Sequence, residues 1–174
     1  MNIAILLHGL TYGGILSLVM FFLIFGSLYY NPEIWLNDYP ADIRKKYGPA
    51  SEKTRKEKRW FSLAVFIVLL GIGAASVAQL PRLTGEQASF VPVFLNLYII
   101  FMVFNLVDLL VFDWLIGVTI QPKFLVLRGT EGSEGYRDYG FHFRGFLKGT
   151  LISLVTSLIL AGVVVLTSAG LGNW

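Results

Sequence analysis

The chain has 174 residues, 55% of them apolar, and only 14% carry a charge, against about 25% in an ordinary soluble domain. Every charged residue except Asp108 and Asp113 falls in one of three segments, 31–59, 81–90 and 119–148, so long stretches have no polar face to show water. A water-soluble globule is excluded, and a net charge of +3 with 15% aromatics excludes a disordered or acidic tail protein.

A bilayer core about 30 Å thick takes about 20 apolar residues of helix. Four stretches meet this: 3–30, 60–80, 91–117 and 150–171, the third despite Asp108 and Asp113. Backbone groups in lipid must be bonded within the segment, and no stretch alternates like a barrel strand. The expected fold is all-α, one integral membrane domain over 1–174, a four-helix bundle with loops at 31–59 and 118–149. The first span has no basic leader and runs longer than a signal's apolar core, so it is expected to be retained. Loop 31–59 carries eight Lys and Arg, segment 119–148 five, and segment 81–90 only Arg82. Thirteen against one places both longer loops in the cytoplasm and both termini outside, in a bacterial-type cytoplasmic membrane. Tyr29, Tyr30, Trp35, Trp60 and Trp114 would then ring the inner boundary and Trp174 the outer one.

Proline at 32, 40 and 49 breaks the first loop into short pieces, and Ser51 is placed to cap a helix running into the second span. The basic run after it reads as an anchor on anionic lipid rather than a nucleic-acid surface, because five acidic residues are interleaved and the loop nets only +3. In the second loop, residues 123–127 are expected to be a short strand or an interfacial segment. Glycines at 129, 132 and 135 follow, without the spacing of a phosphate-binding loop, and read as a flexible turn. Gly9 and Gly13, Gly71 and Ala75, and Ser153, Ser157 and Ala161 repeat small residues at four-residue spacing, a pattern that lets helices approach closely.

The third span holds the most informative feature. At 100° per residue, with Asn105 as zero, Asp108 falls at −60° and Asp113 at +80°, so the three share one side of the helix. A carboxylate at mid-membrane costs roughly 2.5–3.5 kcal/mol on the insertion scale. Three explanations stand for Asp108: a protonated group bonded to Ser153, Thr156 or Ser157, a titrating member of a proton or cation path, or part of a site with Asp113, His142 and a loop cation. In that site Asp113 and His142 are candidate acid and base, and Lys123 and Arg144 candidate holders of an anionic headgroup. The sequence has no cysteine. His8 and His142 lie near opposite ends of the bundle, so neither a metal nor a haem is expected, nor any other cofactor.

Asn31-Pro32, Trp35, Asp38-Tyr39-Pro40, residues 108–114, Pro122-Lys123-Phe124, and residues 129–132 and 138–146 resemble a group of small bacterial multi-span membrane proteins with no known activity. The resemblance implies that both loops and the third span form one unit. Three functions are expected in this order: an accessory protein binding a partner or lipid headgroup at the inner face, a small oligomeric transporter or channel using Asp108 as coupling charge, and a membrane enzyme on a lipid substrate. The expected partners are membrane lipid, a second protein or further copies of the chain, and no nucleic acid.

Overall fold

A computed structural model of the protein describes residues 2–85 and 89–170. Among these residues every regular element is helical and none is a strand. Helix α1 covers Ile3–Tyr30, followed by a 3-10 segment Pro32–Asp38 and the short α2, Ala41–Tyr47. Helix α3 covers Glu52–Val77 and α4 covers Leu80–Thr84. Helix α5 covers Phe90–Val107 and continues as a π-helix over Asp108–Ile120. After 3-10 turns at Lys123–Leu125 and Glu134–Arg137 comes α6, Tyr139–Gly170. Four helical stretches, of 28, 33, 31 and 30 residues, are long and apolar enough to cross a membrane. The expected all-α fold with four such helices is what the chain adopts. Leu171 and Trp174 lie outside the described residues.

The helices overrun the apolar stretches that announce them. α3 begins at Glu52 because Ser51 Oγ accepts the Thr54 amide at 3.1 Å, which caps an orphan donor of the first turn. α6 begins at Tyr139 because Asp138 Oδ1 accepts the Phe141 amide at 2.8 Å. A helix outside lipid needs a cap and tolerates Arg144 and Lys148. An apolar count therefore finds where a membrane can sit, and the cap finds where the helix starts. Lys123–Leu125 is a 3-10 turn rather than a strand.

The chain divides into two compact units, each with its own packing. One comprises the described residues before Leu18, those from Val68 to Leu106, and those from Leu147 on. There α1 and α5 meet at Gly9 and Gly13: a Cβ on Gly9 would lie 2.8 Å from Ile99 Cγ2, and one on Gly13 would lie 2.6 Å from Val103 Cβ. Asn105 Nδ2 donates to Thr150 Oγ1 at 3.1 Å, and Gly149 leaves the room that the Asn105 amide occupies. Gly71, by contrast, has nothing near the place of a Cβ.

The other unit comprises Leu18–Ile67 and Val107–Phe146, and here the two long loops interlock. Leu36, Ile43, Leu127 and Tyr136 form a buried cluster with Tyr39, Tyr47, Ala50 and Val126 packed on it. Polar bonds fix the register: Tyr39 OH donates to the Leu125 carbonyl at 2.7 Å, and the Gly135 amide donates to Asp42 Oδ2 at 2.9 Å. Gly129 and Gly132 take φ of 83° and 75°, a left-handed backbone that suits glycine. Gly135 serves differently, since a Cβ there would collide with Asp42 and Pro40. The first loop is tied to α3 by Glu33, whose carboxylate accepts the Ser51 amide at 2.7 Å, and by Asn31, whose Nδ2 donates to Glu57 Oε2 at 2.9 Å.

Candidate functional site

The site belongs to the loop-bearing unit and starts from the geometry of the π-helix. In an α-helix the hydrogen bond returns four residues, so i and i+4 stack on one face. Here it returns five, as in the Gln121 amide donating to the Ile116 carbonyl at 2.9 Å. Residues five apart therefore stack, and Asp108 and Asp113 are five apart. The α-helical reading sets them about 140° from each other; the π-helix closes most of that angle. The helix ends at Gln121, whose φ of 47° makes it the only non-glycine with positive φ among the described residues. The carboxylates are thus carried on a backbone with strain at its end.

His142, in the first turn of α6, presents Nδ1 to Asp113 Oδ1 at 3.0 Å, with 18% and 31% of the two side chains exposed. The ring stands edge-on to Phe141 at 5.4 Å between centroids. α6 is held against the π-helix by Trp114 and Thr119: Trp114 Nε1 donates to the Tyr139 carbonyl at 3.3 Å, and the Thr119 and Tyr139 hydroxyls are 2.8 Å apart. Phe21, Phe25 and Phe112 form an aromatic cluster beside the same helix, with Phe112 buried.

A third carboxylate, which the sequence does not single out as a site residue, joins the pair. Asp38 ends the 3-10 segment of the first loop, and its charge and that of Asp113 both reach Asp108. Burial among the folded loops pushes the Asp38 carboxyl above the ordinary carboxylate range, and Lys58 Nζ, 3.7 Å away, offsets only part of this. The Asp38 side chain stays 60% exposed, which limits the push. Asp38 and Asp108 stand 70 positions apart in the chain, so sequence spacing gives no sign of their approach. The prolines around Asp38 mark its loop as a folded segment, but they do not say what that segment folds against.

The other expected site residues separate from this group. Asn105 lies in the other unit, bonded to Thr150. Arg144 follows His142 by two positions, which turns it about 200° around α6. Its Nη2 lies 3.4 Å from Asp138 Oδ2, so it braces the helix cap. Lys123 is exposed on its 3-10 turn. A different cation, Arg137, lines an open cleft with Thr119, Gln121 and Tyr139, and it has no ion pair among the described residues. No group of three or more His, Asp or Glu among the described residues is arranged to hold a metal ion.

Fold and site together define an all-helical chain with four helices fit to cross a membrane and a cluster of carboxylates beside a histidine. Comparison with protein-family models, with curated proteins and with solved structures returned no match.

Proposed function

We propose that the chain is a small proton-coupled transporter or channel of a bacterial-type cytoplasmic membrane, with both long loops on the cytoplasmic side. The observation that carries this reading is Asp108, a carboxylate within a helix fit to span a membrane, with the charges of Asp113 and Asp38 beside it and His142 Nδ1 at 3.0 Å from Asp113 Oδ1. An ionisable group in a span is costly, and such groups mark proton and ion paths. Asp108 is the coupling group in this reading. Asp113 and His142 pass its proton to the loop side, where the Asp38–Lys58 pair meets water. The thirteen-to-one distribution of Lys and Arg supports the orientation. Four helices enclose little space, so the working form is an oligomer.

The test is proton flux in liposomes. Purified protein under an imposed pH gradient is expected to dissipate it, and Asp108→Asn is expected to abolish the flux while leaving the fold intact by circular dichroism. Absence of flux in the unaltered protein under pH, sodium and potassium gradients would remove the reading.

The accessory reading has its own support in the Arg137 cleft, which offers a cation, an amide and two hydroxyls to a lipid phosphate. Retention of anionic lipid through purification, lost in Arg137→Gln, is its expected outcome. The lipid-enzyme reading keeps the Asp113–His142 pair but loses Arg144 to Asp138, and so has less support.

A further inference from the structure

The Arg137 cleft, about 390 Å³ in volume, lies in the loop-bearing unit and has two electrostatically unlike sides. Arg137 is the positive side, exposed and without an ion pair among the described residues. The end of the π-helix, Val118 to Gln121, is the other. The Gln121 amide makes the last five-residue return, to Ile116, and Pro122 after it has no amide to give. The Leu125 and Val126 amides turn to Pro122 and Lys123 instead. The helix thus ends in carbonyls to which no amide of its own returns, at the negative end of its dipole.

The hydroxyls of the cleft add to that negative side. Thr119 Oγ1 gives its proton to the Trp114 carbonyl at 2.7 Å, so the Tyr139 hydroxyl, 2.8 Å away, gives its own to Thr119. Both oxygens keep only lone pairs to offer a ligand. A phosphate, which only accepts, therefore finds its donors in Arg137 and the Gln121 side chain. The rest of the cleft suits a cation that donates.

Apolar rows lead away from the same cleft. Leu115 and Ile120 are five apart on the π-helix, and Tyr139 and Phe143 are four apart on α6, so each pair stacks on its own helix. All four are exposed, and Ile120 and Tyr139 line the cleft itself. Such rows give an acyl chain a track and a water-soluble ligand none.

We infer that the cleft binds the headgroup of an ethanolamine phospholipid, its phosphate on Arg137 and its ammonium on the helix end and the Tyr139 oxygen. The inference rests on the lipid-phosphate reading of this cleft and adds which lipid it takes. Ethanolamine fits because its ammonium carries both a charge and N–H donors. Choline has the charge without the donors, and glycerol has donors without the charge.

The test uses the whole protein in detergent, exchanged against an equimolar mixture of ethanolamine, choline and glycerol phospholipids with identical acyl chains. Native mass spectrometry reads what is retained. The ethanolamine lipid is expected to be enriched about tenfold over each of the others, as one charge-assisted bond gives. Its N,N-dimethyl form, which has lost donors but not charge, is expected to be retained less. Arg137→Gln is expected to lower retention of all three lipids with an unchanged circular dichroism spectrum. Retention of the glycerol or choline lipid equal to that of ethanolamine would overturn the ammonium assignment and leave the phosphate reading standing. Retention that Arg137→Gln does not lower, or no retention at all, would overturn both.

Discussion

Tyr136→Phe removes one oxygen from the centre of the interlocked loops. That oxygen accepts the Leu127 amide at 2.9 Å and lies 2.6 Å from Thr130 Oγ1. The Thr130 hydroxyl proton is committed to the Leu127 carbonyl at 2.7 Å, so Tyr136 is the donor in the second bond. Leu127 is 1% exposed and Thr130 fully buried, so water cannot replace what is lost. A buried amide left bare costs about 1–3 kcal/mol, and the threonine oxygen adds less because it keeps its own donated bond. The expected loss is about 2 kcal/mol, a factor of about 30 in the local opening equilibrium. Hydrogen exchange of peptides covering residues 123–138 reads it directly, as exchange about 30-fold faster through local opening. Tyr139→Phe is the control, since its hydroxyl bond to Thr119 is exposed and the expected change is small. Equal protection in Tyr136→Phe and the unaltered protein would refute the account of the loop core.

Gly13→Ala is expected to destabilise the bundle by about 1–3 kcal/mol, because the new Cβ meets Val103 Cβ, which cannot swing away from its own backbone. Its neighbour Gly14 has open space, so Gly14→Ala is expected to gain up to about 1 kcal/mol from helix propensity; denaturation in mixed micelles should give the two opposite signs. Asp138→Ala removes the cap on the Phe141 amide and is expected to cost about 1 kcal/mol, seen as faster exchange confined to the first turn of α6. Asp38 has a raised native pKa, so its contribution to stability is fully present below the ordinary value of 3.8 and is lost as pH rises through the native value. Exchange protection of residues 32–47, corrected for intrinsic rate, should fall across that window, and Asp38→Asn should flatten it.

The four long helices are legible in the sequence because lipid imposes a length and a composition that nothing else in a chain imitates. Their true ends are half legible. Ser51 is a visible cap, whereas Asp138 is hidden inside a charged run that reads as loop. The glycines at 129 and 132 read correctly as turn residues, but the third, Gly135, is needed for close approach to Asp42, a contact between distant loops that no local pattern encodes. Arg144 looks like a site cation from its place beside His142, yet a two-residue step on a helix turns it away.

The π-helix explains why the site itself is least legible. Periodicity arguments assume 100° per residue, and under that rule Asp108 and Asp113 flank a stripe without facing each other. A return of five residues makes them neighbours, with poorer backbone geometry that ordinary packing would not favour. Such a segment persists where surrounding contacts hold it, and here Trp114, Thr119 and Phe112 bind it to α6 and to the aromatic cluster. The rearrangement gathers acidic residues rather than separating them. Under the proposed function, such a gathering of acidic groups serves a site that takes up and releases a proton.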